Sequence, residues 1–220
     1  MTGSFDLPWS DPRLRIPHAE PGNRIGLFGG SFNPPHSGHR LVAEVALKRL
    51  GLNQVWWMVT PGNPLKDHAN LAPLSERLDE VARYADHPAM RVTALEARFA
   101  SSYSARTIDR LIRLRPRLTF VWIMGADNLA GFHRWQDWRG IMQRLPVAIV
   151  DRPGATLSPL SAPAAHSFAA ARVDEACAAS LASRAPPAWT FLHTPLDSTS
   201  STALRDRPGR ENPRRSATMP

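Results

Sequence analysis

Lysine is nearly missing from this chain. Of its 27 basic residues only Lys48 and Lys66 are lysines, and the rest are arginine. Together with 21 prolines and abundant alanine, that imbalance reads as a compositional bias rather than a functional feature. Against it the two lysines carry some information, since a compact ammonium and a planar guanidinium are not interchangeable. Cysteine is scarcer still. Cys177 stands alone, which excludes a disulfide framework and a cysteine-based metal site. No apolar run approaches the ~20 residues of a membrane-spanning helix. The opening stretch, with Asp6, Pro8, Pro12, Pro17 and Pro21, has neither the basic nor the apolar region of a leader. A soluble, cytoplasmic protein with no membrane partner is expected. Runs of five or more basic residues are absent too. The net charge of +8 is scattered and densest after Arg205, so a basic surface favouring anionic substrates is expected, and nucleic acid is not an expected partner.

What is present suffices for one sizeable core: 220 residues, 43% of them apolar. Residues 1–23 read as an irregular, proline-rich extension. A strand is expected at 24–28. A helix follows over 37–50, with Leu41, Val42, Val45, Ala46 and Leu50 on one face and Gly51 ending it. The apolar run 54–60 is a buried strand closing on the turn residues Pro61, Gly62, Asn63 and Pro64. Leu74, Leu78, Val81, Ala82 and Ala85 mark a helix capped by Ser75. A short strand at 90–95 precedes a helix at 104–114 that buries Ala105, Ile108, Leu111 and Ile112. The run 118–124 has the character of an interior strand. A tryptophan-rich helix over 129–145, a strand at 146–150, a helix near 164–181 and a strand at 189–193 complete the order. A last helix opens at 200–205, and 206–220 reads as a disordered basic tail. Apolar strands alternating with amphipathic helices predict one α/β domain over 24–205, a Rossmann-like doubly wound parallel sheet with helices on both faces.

Ligands of such sheets sit at the carboxyl ends of the strands. The unusual polar residues fall there, at 29–39, 61–66, 125–127 and 151–154. The first of these is the richest. A strand breaks into Gly29 and Gly30, followed by Ser31, Phe32, Asn33, two prolines and His36-Ser37-Gly38-His39 at a helix start. Free backbone N–H groups and the positive end of the helix dipole make such a turn an anion site, and ring donors at i and i+3 suit a polyphosphate. The loop lacks the lysine and spacing of a P-loop and the three spaced glycines of a dinucleotide fingerprint.

Gly29-Gly30-Ser31-Phe32-Asn33-Pro34-Pro35-His36-Ser37-Gly38-His39 resembles the signature of the nucleotidyltransferase superfamily built around an H-x-G-H site. Late in the chain Ser200, Ser201, Thr202 and Arg205 resemble its second mark, a hydroxyl-rich helix start with an arginine one turn on. Between them, Pro61 to Lys66, Ser102-Tyr103-Ser104, Gly125-Ala126-Asp127, Trp135 with Trp138, and Arg152-Pro153-Gly154 fall in the order seen in bacterial nicotinate-nucleotide adenylyltransferases. The resemblance spans residues 24–205.

It implies adenylyl transfer from ATP to nicotinate mononucleotide, giving deamido-NAD and pyrophosphate in NAD biosynthesis. His36, His39 and Arg205 would be catalytic. Gly29, Gly30, Ser31, Phe32, Gly125, Asp127, Arg152, Ser200, Ser201 and Thr202 would hold ATP. Asn63, Lys66, Tyr103, Ser104 and Trp135 would hold the nicotinate nucleotide. Mg2+ would accompany ATP with few protein ligands. A homo-oligomer is compatible with the sequence. Arg106 departs from the family pattern, where an acid is common. Plainer readings stand beside these: Asp127 as a helix cap, Trp138 as core, Lys66 as a solvated loop residue, Ser200 as an ordinary cap. Alternatives for the whole are the same chemistry on nicotinamide mononucleotide or phosphopantetheine, and a non-catalytic nucleotide-binding protein.

Overall fold

Six parallel strands form one sheet in the order β3-β2-β1-β4-β5-β6. The computed structural model describes residues 6–62, 71–101, 103–151 and 161–194. The strands are β1 (Arg24–Gly30), β2 (Gln54–Val59), β3 (Met90–Thr93), β4 (Thr119–Gly125), β5 (Val147–Val150) and β6 (Trp189–Leu192). The helices are α1 (Ser37–Arg49), α2 (Leu74–Tyr84), α3 (Leu95–Arg98), α4 (Ser104–Leu114), α5 (Ala126–Phe132), α6 (Trp138–Arg144) and α7 (Pro163–Ser167). This is the doubly wound arrangement expected from the sequence.

Burial on both faces explains the unbroken apolar runs of the inner strands. Phe28, Val55, Trp57, Val121 and Ile123 point to one face and pack with Val42, Ala43 and Ala46 of α1 and Leu78 and Val81 of α2. Ile25, Leu27, Trp56, Trp122 and Met124 point to the other, against Ile108 and Leu111 of α4, Leu129 and Phe132 of α5 and Ile141 of α6. Gly51 ends α1 as expected. Its φ of 59° lets its N–H reach Lys48 O at 3.3 Å while Leu52 N–H reaches Leu47 O at 3.0 Å, the double bond of a Schellman cap.

Several local expectations are corrected. Ser75 does not cap α2; it lies inside the first turn, and the cap comes from Asp6. That carboxylate accepts the N–H groups of Leu74 at 3.0 Å and Ser75 at 3.2 Å, and the Ser75 hydroxyl as well. The strand expected to reach residue 95 stops at Thr93, because Leu95 begins α3. The tryptophan-rich helix is two helices. Asp137, at φ 52°, breaks the path between α5 and α6, and Trp135 turns to lie edge-on against Trp122 and Phe132. The helix expected near 164–181 is only α7 followed by 3-10 turns at Ala169–Ala171 and Glu175–Ser183. Between those turns Arg172 bridges Trp189, and Val173 N–H bonds Trp189 O at 2.7 Å, covering the outer edge of β6.

The described residues ahead of β1, from Asp6 on, pack against the domain. Leu7 and Leu14 are buried, and Arg13 O accepts both Ala94 N–H and the Thr93 hydroxyl at 2.8 Å.

Candidate active site

The sheet order reverses between β1 and β4. After β1 the chain passes to α1 on one face, and after β4 to α5 on the other, so a crevice opens at the carboxyl ends of these two neighbours. Gly29 and Gly30 end β1 there, and Gly125 ends β4.

The last two of the three glycines of β1 have close neighbours. A Cβ on Gly29 would lie 2.7 Å from Trp122 Cη2, and one on Gly30 would lie 3.0 Å from the ring of Phe32. Phe32 is itself buried, in edge contact with Phe28 and His39 and tilted against Trp57. Its side chain therefore belongs to the core, and only its backbone is left to meet a ligand. Its φ of 45° is unusual for a residue with a side chain and gives the loop its turn.

The two histidines lie at the start of α1. His36 is fully buried, and its carbonyl accepts the His39 N–H at 2.9 Å. In return the His36 N–H donates to His39 Nδ1 at 3.2 Å. With Nδ1 acting as acceptor, a neutral His39 ring carries its proton on Nε2, as a donor. The rings lie close together, centroids 3.8 Å apart and tilted by 38°. The sequence pair thus forms one unit with a set tautomer.

Across the crevice, Gly125 is buried and precedes α5, with Asp127 exposed in the first turn. Trp135 is half-buried and meets Trp122 edge-on at 6.2 Å, so Gly29, Trp122 and Trp135 touch in series. Trp138, as read from the sequence, is core.

A third group gathers beyond β2 and β3. Ser104 opens α4, and its hydroxyl donates to Glu96 Oε1 at 3.3 Å. Burial pushes the Glu96 carboxyl up to about 7, against hydrogen bonds from Thr60 and Ser104 that pull it down. Tyr103 is 38% exposed beside this group, with the Arg106 guanidinium 5.5 Å from its ring centroid. Asn63, Lys66, Arg152, Ser200, Ser201, Thr202 and Arg205 lie outside the described residues.

Sequence reading missed Arg77, Glu96 and Trp122. Arg77 had a visible signal: it occupies a stripe position with Leu74, Leu78 and Val81, where a charge is out of place. Glu96 sits between Leu95 and Ala97, both buried, a weaker form of the same signal. Trp122 could only pass for core.

A doubly wound sheet with a glycine turn and paired imidazoles at its switch point has the architecture of a nucleotide-handling Rossmann-like transferase. The cytidylyltransferase-like family model matches residues 27–207, and the chain belongs to that family. It is 61% identical over 182 residues to a probable nicotinate-nucleotide adenylyltransferase of Rhizobium meliloti (strain 1021), covering 82% of this chain and 96% of that one. To a relative of the same name in Brucella abortus (strain 2308) it is 61% identical over 181 residues, covering 82% and 93%. Among solved structures it is similar to Plasmodium falciparum nicotinic acid mononucleotide adenylyltransferase complexed with NaAD, at a TM-score of 0.63 and 16% identity, covering 83% and 82%. The same Plasmodium protein complexed with APC gives a TM-score of 0.60 at 15% identity. At those identities the likeness is one of fold.

Proposed function

We propose that this chain is a nicotinate-nucleotide adenylyltransferase, joining the AMP moiety of ATP to nicotinate mononucleotide to give deamido-NAD and pyrophosphate, a step of NAD biosynthesis. The observation that carries the reading is the 61% identity to relatives of that name over 93% and 96% of their length. The geometry of the crevice agrees with it.

An oxygen of the mononucleotide phosphate attacks the α-phosphorus of ATP in line. A new P–O bond forms as the bond from the α-phosphorus to the bridging oxygen breaks, and pyrophosphate leaves. A phosphate monoester is already a nucleophile, so positioning and charge stabilisation do the chemistry without a covalent intermediate. The turn Gly29, Gly30, Ser31 and Phe32 offers backbone N–H groups to the phosphates. His39 donates from Nε2, with its tautomer set by the His36 N–H. His36 and Arg205 share the charge that develops, and Ser200, Ser201 and Thr202 grip the leaving group. In this reading Asp127 holds ribose hydroxyls beside Gly125, and Arg152 serves the adenine. Tyr103 and Trp135 frame the nicotinate ring, Ser104 meets its carboxylate, and Asn63 and Lys66 close that subsite.

Among the described residues no group of three His, Cys, Asp or Glu side chains forms a metal site. The donors around the glycine turn are amides and imidazoles rather than carboxylates, a set that suits Mg2+ carried in on the ATP phosphates, where it neutralises charge. Residues 24–205 are the catalytic domain in this reading. ATP and nicotinate mononucleotide are its partners, and the cytoplasm is its site of action. No described helix is long and apolar enough to cross a membrane.

The test is direct. The protein is incubated with ATP, magnesium and, separately, nicotinate mononucleotide, nicotinamide mononucleotide and phosphopantetheine, while pyrophosphate and product are followed. Fastest turnover is expected with nicotinate mononucleotide. No product from any acceptor would sink the enzyme reading, and preference for another acceptor would reassign the substrate.

A further inference from the structure

Arg77 of α2 is 1% exposed, yet among the described residues it has no carboxylate in ion-pair contact. Its guanidinium is spent on main-chain carbonyls. Nε donates to Ala72 O at 2.9 Å, Nη1 to Ser31 O and Thr60 O at 2.8 Å each, and Nη2 to Pro61 O at 3.4 Å. These acceptors come from the glycine turn after β1, the end of β2, and the approach to α2. Burial lowers the guanidinium to about 10, with the charge of Asp6 acting the other way, so it stays a cation at neutral pH. Carrying a buried charge with no carboxylate in contact is costly, and a helix stripe needs none. The four carbonyls solve the hydrogen-bonding problem but leave the charge.

The bond to Ser31 O has a further consequence. The Ser31–Phe32 peptide is trans, so the Phe32 N–H points opposite to the Ser31 carbonyl and away from Arg77. This orientation goes with the left-handed φ of Phe32, which costs about 1–2 kcal/mol for a residue with a Cβ. Rotating that one peptide plane would relieve the cost, but it would turn the N–H inward and break the bond to Arg77.

We propose that Arg77 is a positioning residue of the phosphate site: it holds the Ser31–Phe32 peptide so that the Phe32 N–H faces bound polyphosphate, and it supplies a fixed positive charge behind the turn. The proposal rests on the adenylyltransferase reading for its role in turnover, but its effect on pyrophosphate binding stands apart from the acceptor. Lysine at this position would keep the charge, yet a single ammonium cannot span carbonyls from three segments.

Arg77→Lys and Arg77→Met are compared with the unaltered full-length chain by circular dichroism, by calorimetric titration with inorganic pyrophosphate, and by steady-state kinetics. Folded Arg77→Met is expected to bind pyrophosphate at least 10-fold more weakly and to lose 10- to 100-fold in kcat. Arg77→Lys is expected to recover part of the binding and little of kcat. A merely structural arginine would leave pyrophosphate affinity unchanged in any variant that folds. If Arg77→Met does not fold, Arg77→Lys carries the test. Pyrophosphate affinity and kcat within twofold of the unaltered chain, in whichever variant folds, would overturn the proposal. Failure of the unaltered protein to turn over any acceptor would instead defeat the enzyme reading, while the pyrophosphate titration still decides the part played by Arg77.

Discussion

Trp122 fills the space that a side chain on Gly29 would take, its Cη2 only 2.7 Å from where a Cβ would stand. The indole has little room to yield, since it is fully buried and meets Trp135 on its edge. Gly29→Ala therefore forces the sheet or the indole to move. Overpacking of this kind costs about 1–3 kcal/mol. The strain also passes through Trp122 to Trp135 in the crevice. Thermal melting is expected to fall and KM for the mononucleotide to rise together. An alanine variant with unchanged melting and kinetics would show that the contact is soft.

In the proposed mechanism His39 acts through one nitrogen. Because Nδ1 accepts the His36 N–H at 3.2 Å, Nε2 is the donor left for charge on the phosphates. Removing one preorganised donor of this type costs about 10²–10³ in kcat. His39→Ala should show that loss while circular dichroism stays unchanged, since His39 is only half-buried. Near-normal turnover in a folded variant would defeat the catalytic assignment.

The parts of this molecule that could be read in advance are those whose cause is local. The runs at Gln54–Val59 and Thr119–Gly125 announce strands buried on both faces, and Gly51 announces the end of α1. The shape of the segment from Gly29 to His39 is legible for the same reason: its glycines end β1 and its histidines open α1 within one short stretch of chain. Asp6 capping α2 is not legible, because cap and helix are 68 residues apart. Nor is Trp122 beneath Gly29, which depends on the pairing of β1 with β4. The alanine-rich stretch after Pro163 misleads for a different reason. Its composition favours helix, but pairing of residues 172 and 173 with Trp189 pulls the chain into extended form and leaves short turns on either side.

The distant cap makes a stability prediction that is separate from catalysis. Burial would raise the Asp6 carboxyl, but hydrogen bonds from the Ser75 hydroxyl and from the Ser75 and Leu74 amides outweigh it and hold the group below its ordinary range. Loss of such a cap costs about 1 kcal/mol. Asp6→Ala should lower the free energy of unfolding by about that amount, seen as a lower denaturant midpoint at unchanged m. A variant as stable as the unaltered protein would mean that water caps α2 equally well.

Glu96 makes stability depend on pH in the direction opposite to most carboxylates. Its ordinary value is 4.5, and burial raises it to about 7 in the folded chain. The folded protein thus holds the proton more tightly than the unfolded chain. The stabilisation this provides is complete below pH 4.5, fades as pH rises through the interval, and is gone above about 7. At 1.36 kcal/mol per unit the total is on the order of 3 kcal/mol. Glu96→Gln keeps the shape of the side chain and removes the titration. The variant should gain on the unaltered protein by 1–3 kcal/mol, in order of magnitude, between pH 5.5 and pH 8 in denaturant unfolding. A difference that stays constant over that range would mean that Glu96 is already ionised in the fold, with Thr60 and Ser104 sufficient to carry its charge.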